Sequence, residues 1–185
     1  MPEYAQSLTY LFAVGTVFLQ LVVVLVVLLR IVLKQFPRAI DVYVRKYGVL
    51  LAAVAALGGS VLSLWYSEVV GLPVCVLCWL GRTMMYPLAV ILVVAVVRKS
   101  RDVWPYGLAL AVCGAVITGY HHLYQMGLVK GSVCTTLSNG VDCARRYVFE
   151  FDYVTMPLMG FTMFVVIAGL LLLVRGDRKM DTSTT

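Results

Sequence analysis

The chain has 185 residues, of which 62% are hydrophobic and 13% are charged, against about 45–50% and about 25% in soluble domains. This composition excludes an ordinary water-soluble domain and favours a protein whose apolar surface lies in lipid. The net charge of +6 comes mostly from basic residues between the apolar segments. We therefore interpret it as a sign of membrane orientation and expect no nucleic-acid partner.

Five apolar segments are long enough to cross the hydrocarbon core of a bilayer as helices, which takes about 20 residues. A helix satisfies its own backbone hydrogen bonds in lipid, and the alternating pattern of a membrane β-barrel is absent. The predicted spans are 8–33, 48–66, 77–97, 104–124 and 156–174. We therefore predict an all-α, polytopic membrane bundle.

The first span is predicted to be a retained helix and not a cleaved signal peptide. Its N-terminal flank has no Lys or Arg, its apolar stretch exceeds the usual signal-peptide core, and no small-residue cleavage pattern follows it. Gln20, within this span, is expected to hydrogen-bond to the rest of the bundle.

The placement of Lys and Arg predicts which connections are cytoplasmic. Basic residues cluster after the first span, after the third span and in the tail: Lys34, Arg38, Arg45, Lys46, Arg98, Lys99, Arg101, Arg175, Arg178 and Lys179. The N-terminus is therefore predicted to lie outside and the C-terminus inside. The connections after the second and fourth spans then face the extracytoplasmic side.

One extracytoplasmic connection leads into a Cys-x-x-Cys motif. Pro73 marks a helix start, so Cys75 and Cys78 fall in the first helical turn, near enough for a disulfide. The helix dipole favours a thiolate there, and we expect the lowered pKa at Cys78. Arg82 lies one turn further on the same face. Because an arginine inside a membrane helix is costly, we favour a functional role for it over simple snorkelling to head groups.

A second pair, Cys134 and Cys143, lies in the other extracytoplasmic connection, where disulfides persist. The four cysteines could be structural staples, metal ligands or a redox relay. Their spacing does not match the usual zinc motifs, so no metal site is predicted. Cys113, within the fourth span, is expected to be a buried packing residue.

Two adjacent histidines, His121 and His122, end the fourth span. Either could hydrogen-bond to a ligand or titrate near neutral pH, and both could instead be plain interfacial anchors. The residues alone leave these alternatives open.

In combination, these motifs resemble the DsbB/BdbC family of disulfide bond formation proteins. The shared order is Cys75, Cys78 and Arg82 at a helix mouth, His121 with Gln125 at the end of the next helix, Cys134 with Cys143, and Met156-Pro157. The stretch from Trp79 to Leu88 is similar to Gram-positive-type members. The vitamin K epoxide reductase family places its loop cysteines before the Cys-x-x-Cys, so the order here opposes that assignment.

The resemblance implies a fold of three parts. Residues 48–174 would form a four-helix bundle that holds a quinone near the outer surface, residues 1–47 an extra helix with its connection, and residues 175–185 a cytoplasmic tail. It also implies a thiol:quinone oxidoreductase in the bacterial cell membrane. Its partners would be the membrane quinone pool, ubiquinone or menaquinone, and a DsbA-like thioredoxin-fold protein.

Residue roles carried over from the family complete the expectation. Cys134 would be attacked by the reduced partner, Cys143 would then attack Cys75, and Cys78 would be freed facing the quinone. Arg82 and His121 would bind the quinone. The alternative is a non-enzymatic membrane protein whose loop disulfides are structural.

The chain departs from the family pattern in its extra first helix and its short Cys134–Cys143 loop. We expect that loop to restrict how Cys143 reaches Cys75. The aromatic residues that follow are expected to anchor at the membrane interface, with a partner-docking surface as the alternative: Tyr147, Phe149, Phe151 and Tyr153.

Overall fold

The computed structural model describes residues 3–33, 38–129, 134 and 140–175. Five long helices dominate it: α1 (Glu3–Leu33), α2 (Arg38–Leu64), α3 (Val76–Val97), α4 (Trp104–Gln125) and α5 (Met156–Arg175). A π-helical turn over Trp65–Val69 extends α2, and a short antiparallel hairpin of β1 (Phe149–Glu150) and β2 (Val154–Thr155) leads into α5. The predicted all-α bundle is confirmed, while the expected tail, residues 176–185, lies outside the described residues.

Within the described ranges, four helical segments are long and apolar enough to cross a membrane: Glu3–Arg30, Lys46–Val69, Val76–Val97 and Met156–Val174. The remaining predicted span, 104–124, is the helix α4, which has 22 residues. Its C-terminal half carries three buried polar side chains, Thr118, His121 and Gln125. That α4 also crosses the membrane remains a prediction, favoured by its packing along α3 and α5.

The core lies where α2, α3, α4 and α5 meet. Three alanines on α2 allow close approach, and large side chains of α3 and α5 fill the centre: Ala52, Ala53, Ala56, Leu88, Leu92, Phe164, Ile167 and Leu171. Lipid tails are as apolar as leucine, so close packing of this kind holds membrane helices together. Gly114 on α4 shows the constraint, because a Cβ there would clash with the ring of Phe164.

The expectation for Cys113 is wrong. Its side chain is a free thiol on the exposed surface of α4, while its neighbour Gly114 faces the core. The hydrophobic pattern of α4 has no strong apolar face, so the sequence could not indicate which of the two neighbours points inward.

The first helix attaches to the bundle through polar side chains. The hydroxyl groups of Thr9 and Tyr66 are 2.9 Å apart and hydrogen-bonded. Lower on the helix, Gln20 Nε2 donates to Thr162 Oγ1 of α5 at 3.0 Å. The bond predicted between Gln20 and the bundle is therefore confirmed.

The β-hairpin also contacts α1. Tyr153 donates its hydroxyl proton to Gln20 Oε1 at 3.1 Å, and the rings of Tyr10 and Phe151 lie 5.6 Å apart. Phe151 adopts a left-handed backbone conformation, with φ of 53°, which a bulky residue rarely does. Two of the expected interfacial aromatics thus hold the first helix against the hairpin.

Candidate functional site

The two cysteines of the Cys-x-x-Cys motif lie at the N-terminus of α3. Cys75 is the N-cap residue, and its Sγ accepts the backbone N–H of Cys78 at 3.4 Å. Both are free thiols whose sulfur atoms are 2.8 Å apart. A disulfide bond is about 2.05 Å long, so a small adjustment would join them.

A buried histidine from α4 joins this thiol pair. His121 Nε2 is 3.8 Å from Cys75 Sγ and 3.2 Å from the carbonyl oxygen of Cys143. His122 makes a different contact, a 2.9 Å hydrogen bond between its Nδ1 and Thr155 Oγ1. The structure therefore distinguishes the two histidines and places His121 between the two cysteine pairs.

The pKa of the Cys75 thiol is lowered, to about 4. The main cause is the hydrogen bond with the Cys78 thiol, which outweighs burial, and His121 adds a hydrogen bond and a favourable charge. The helix N-terminus supplies a further donor, the Cys78 N–H. The stabilised thiolate is thus at Cys75, whereas the sequence led us to expect it at Cys78.

The loop cysteines form a disulfide with each other, Cys134 to Cys143. Both are buried, and they pack with Cys75 and Leu77 in one cluster. This packing brings the four cysteines of the two connections together.

Hydrogen bonds from the end of α4 hold the loop disulfide in place. Gln125 Nε2 donates to the carbonyl oxygens of Cys143 and Arg145, at 3.3 and 3.2 Å. Arg146 Nε donates back to the carbonyl oxygen of Gln125 at 2.8 Å. Cys143 therefore stands beside the thiol pair in spite of its short loop.

Arg82 is buried one turn below Cys78, with 8% of its surface exposed. Its Nε donates to Ser63 Oγ at 2.9 Å and its Nη2 to the carbonyl oxygen of Ser63 at 2.8 Å. Its guanidinium carbon lies 5.3 Å from the ring centre of Trp79, a cation–π distance. The guanidinium group is therefore held in one position.

Ser63 is a site residue that the sequence did not reveal. It comes just before the π-helical turn Trp65–Val69, and such turns are frequent at functional sites. A serine in an apolar helix commonly bonds to its own backbone, so its identity alone gave no signal.

A cavity of about 820 Å³ opens beside these groups and is lined by all five helices, a size typical of small-molecule sites. Cys78, Arg82 and His121 contribute to its wall. Two buried polar atoms of lining residues, Tyr86 Oη and Gln125 Oε1, have no hydrogen-bond partner in the described part of the chain. Buried polar groups are normally satisfied, so these atoms favour a ligand with polar groups of its own.

Three side chains at this site are also close enough together to ligate a metal ion. The ligand atoms of Cys75, Cys78 and His121 lie within 4.8 Å of one another, three of the four that zinc requires. The four-cysteine site considered from the sequence is not formed, because Cys134 and Cys143 are joined to each other.

Two cysteine pairs packed together in a membrane helical bundle define a membrane protein suited to thiol–disulfide chemistry. The family model described as "Disulfide bond formation protein DsbB" matches residues 45–174, and the chain belongs to this family of membrane disulfide bond formation proteins. The match begins within α2 and leaves α1 outside it.

Named relatives agree with this family. The "Probable disulfide formation protein" of Metapseudomonas resinovorans is 36% identical over 126 residues, which are 68% of this chain and 88% of the relative. "Disulfide bond formation protein C" of Bacillus subtilis (strain 168) is 34% identical over 130 residues, 70% and 90% of the two chains. No solved structure matches the chain.

Proposed function

We propose that this protein is a thiol:quinone oxidoreductase of the bacterial cell membrane. It would reoxidise a DsbA-like thioredoxin-fold partner outside the cytoplasm and pass the electrons to ubiquinone or menaquinone. The N-terminus and both cysteine connections would lie outside, as the basic residues indicate. The observation that carries this proposal is the single cluster containing an oxidised loop pair and a reduced helix pair with His121 between them.

The first exchange consumes the loop disulfide. A thiolate of the reduced partner attacks Cys134, the bond to Cys143 breaks, and Cys143 leaves as a thiolate. The partner's second thiol then releases the partner as a disulfide and leaves Cys134 reduced. Because Cys134 is buried, with 6% of its surface exposed, its sulfur must become accessible before this attack.

The second exchange moves the two electrons to the helix pair. With Cys75 and Cys78 oxidised, the Cys143 thiolate attacks Cys75 and Cys78 leaves as a thiolate. Cys134 then attacks Cys143, which restores the loop disulfide and releases Cys75. A thiol of low pKa leaves faster, so the lowered pKa of Cys75 favours this release. An oxidised loop and a reduced helix pair, the state described above, are the products.

Returning the helix pair to its disulfide requires an acceptor of two electrons and two protons, the chemistry that a bound quinone supplies. The residues present fit such a ligand, since the cavity is mostly apolar and Tyr86 Oη, which has no partner among the described residues, could donate to a carbonyl oxygen. Arg82 would hold the ring and stabilise negative charge near Cys78. His121 would stabilise the Cys75 thiolate and complete the polar edge of the cavity.

Quinone reduction by purified protein tests this proposal. The wild-type protein in detergent receives a reduced thioredoxin-fold protein and decylubiquinone, and quinone absorbance is followed over time. We expect steady reduction by wild type and by the control Cys113→Ser, because Cys113 lies on the exposed surface of α4. If Cys75→Ser reduces quinone as fast as wild type, the relay is wrong and the cysteines are structural.

A further inference from the structure

We propose that α1, the helix outside the family match, is one wall of the quinone cavity, and that Gly15 leaves the space which the apolar chain of the quinone occupies. This inference rests on the proposed function and assigns a role to a helix that the family match does not cover. The cavity lining includes residues of α1 on both sides of Gly15, among them Phe12, Thr16 and Leu19.

The first helix is fixed to the bundle above and below Gly15. Thr9 is hydrogen-bonded to Tyr66 at one height, and Gln20 is bonded to Thr162 at the other. Between them Ala13 is fully buried in a cluster with Met159. Residues 9, 13, 16 and 20 share one helical face. Thr16 on this face also lines the cavity, and Gly15 lies on the adjoining face.

Polar and apolar parts of the cavity wall come from different helices. Arg82 and Tyr86 belong to α3, and Gln125 belongs to α4. The lining residues of α1 are apolar except for Thr16, whose hydroxyl proton is donated to the carbonyl oxygen of Phe12 at 2.8 Å. The oxygen atoms of a quinone ring would therefore pair with α3 and α4, and its hydrocarbon chain would contact α1.

Two glycines leave open space on this apolar side. A Cβ built at Gly15 of α1 would meet no atom within 4 Å, and the same holds for Gly58 of α2. Both residues line the cavity. The space in front of Gly15 therefore belongs to the cavity, and a large side chain at this position would fill part of it.

The test fills this space and measures binding directly. Gly15→Phe would project a ring into the cavity without a backbone clash. Val14→Phe is the matched control, because Val14 is exposed, as Gly15 is, but does not line the cavity. Trp65 lines the cavity, so quenching of tryptophan fluorescence reports quinone binding without turnover. The probes are decylubiquinone, which has a ten-carbon chain, and the chain-free ring ubiquinone-0.

We expect Gly15→Phe to weaken decylubiquinone binding about tenfold and to raise KM in parallel, as overfilling a packed site does. Ubiquinone-0 binding should change by less than about twofold, and Val14→Phe should match wild type with both probes. Exchange between the reduced partner and the loop disulfide should be unchanged in Gly15→Phe, which shows that the variant is folded.

Wild-type affinity of Gly15→Phe for decylubiquinone would overturn the inference and leave the proposed function standing. Equal weakening of both probes would also overturn it, because the chain would then not be the part that contacts α1. A wild-type protein that binds neither quinone would overturn the proposed function and this inference together.

Discussion

The sulfur cluster and the apolar cavity are adjacent, but they are built in opposite ways. Directional hydrogen bonds fix the cluster: His121 and Gln125 both reach the carbonyl oxygen of Cys143. On its α1 and α2 side the cavity is shaped by missing side chains, at Gly15 and Gly58. Sulfur exchange requires atoms in fixed positions, whereas a hydrocarbon chain requires room. Changes in the two regions should therefore have different signatures.

The largest effect is expected at Cys75, which belongs to the sulfur cluster and also lines the cavity. Cys75→Ser removes the sulfur that receives electrons from the loop in the proposed relay, so quinone reduction should fall to the uncatalysed background. Steady-state absorbance assays measure this loss, with Cys113→Ser as the matched thiol removal. Normal turnover by Cys75→Ser would show that electrons do not pass through the helix pair.

Replacing Arg82 tests whether the cavity chemistry can be impaired while the exchange at the loop disulfide is left intact. Arg82→Gln keeps hydrogen-bonding capacity toward Ser63 but loses the charge near Cys78, so quinone reduction should slow about 100-fold, as loss of a preorganised electrostatic group does. The kinetics of loop-disulfide exchange with the partner, followed by thiol trapping, should stay near wild type. If both steps slow equally, Arg82 supports the whole fold and not the cavity chemistry.

The pKa of Cys75 should respond differently to the replacement of His121 and of His122. Its thiolate is retained down to about pH 4, so the stability that it contributes to the reduced protein is fully present above the unfolded pKa of 9.0 and is lost as pH falls through about 4. His121→Phe removes one of the groups that lower this pKa, and the loss of thiolate absorbance near 240 nm should move to higher pH. The variants are made in a Cys113→Ser background, so that the free thiol of α4 does not contribute to the absorbance.

His122→Phe is the control for that titration, because His122 contacts Thr155 and not the thiol pair. Its titration curve should overlay the curve of the unmodified background. Equal shifts in the two variants would mean that general disturbance of α4, and not the contact with Cys75, sets the pKa.

The smallest effect is expected at Gln125, whose side chain donates hydrogen bonds to the segment that carries Cys143. Gln125→Met leaves the carbonyl oxygens of Cys143 and Arg145 without this donor, which should cost about 1–3 kcal/mol of stability. Unfolding by titration with sodium dodecyl sulfate measures the difference, and Val112→Leu on the exposed side of α4 is the control. An unchanged unfolding curve would show that the loop does not depend on Gln125.

Sequence reasoning could predict most of the fold and the membership of the sulfur cluster. Apolar segment lengths predicted the helices. The basic residues predicted that both cysteine connections lie on one side, which made the contact between Cys75 and the loop pair foreseeable. The position of the thiolate could not be foreseen, because it depends on the N-cap geometry of Cys75 and on His121 from another helix.

Other features also depend on tertiary contacts. Ser63 became visible as the anchor of Arg82 only once α2 and α3 were packed together. The outward position of Cys113 required knowing which side of α4 meets Phe164. The role of α1 at the cavity follows from its attachments at Thr9 and Gln20, and Gln20 alone was expected from the sequence.

If electrons pass from the loop pair to the helix pair, Cys143 must be able to form a disulfide with Cys75. In the double variant Cys78→Ser, Cys134→Ser, the two site cysteines left are Cys75 and Cys143, which we expect to join under oxidising conditions. Mass spectrometry of protease fragments after alkylation would detect that link. A fragment pair joined through Cys75 and Cys143 is the predicted result. Full alkylation of both cysteines, with no linked fragment, would contradict the relay.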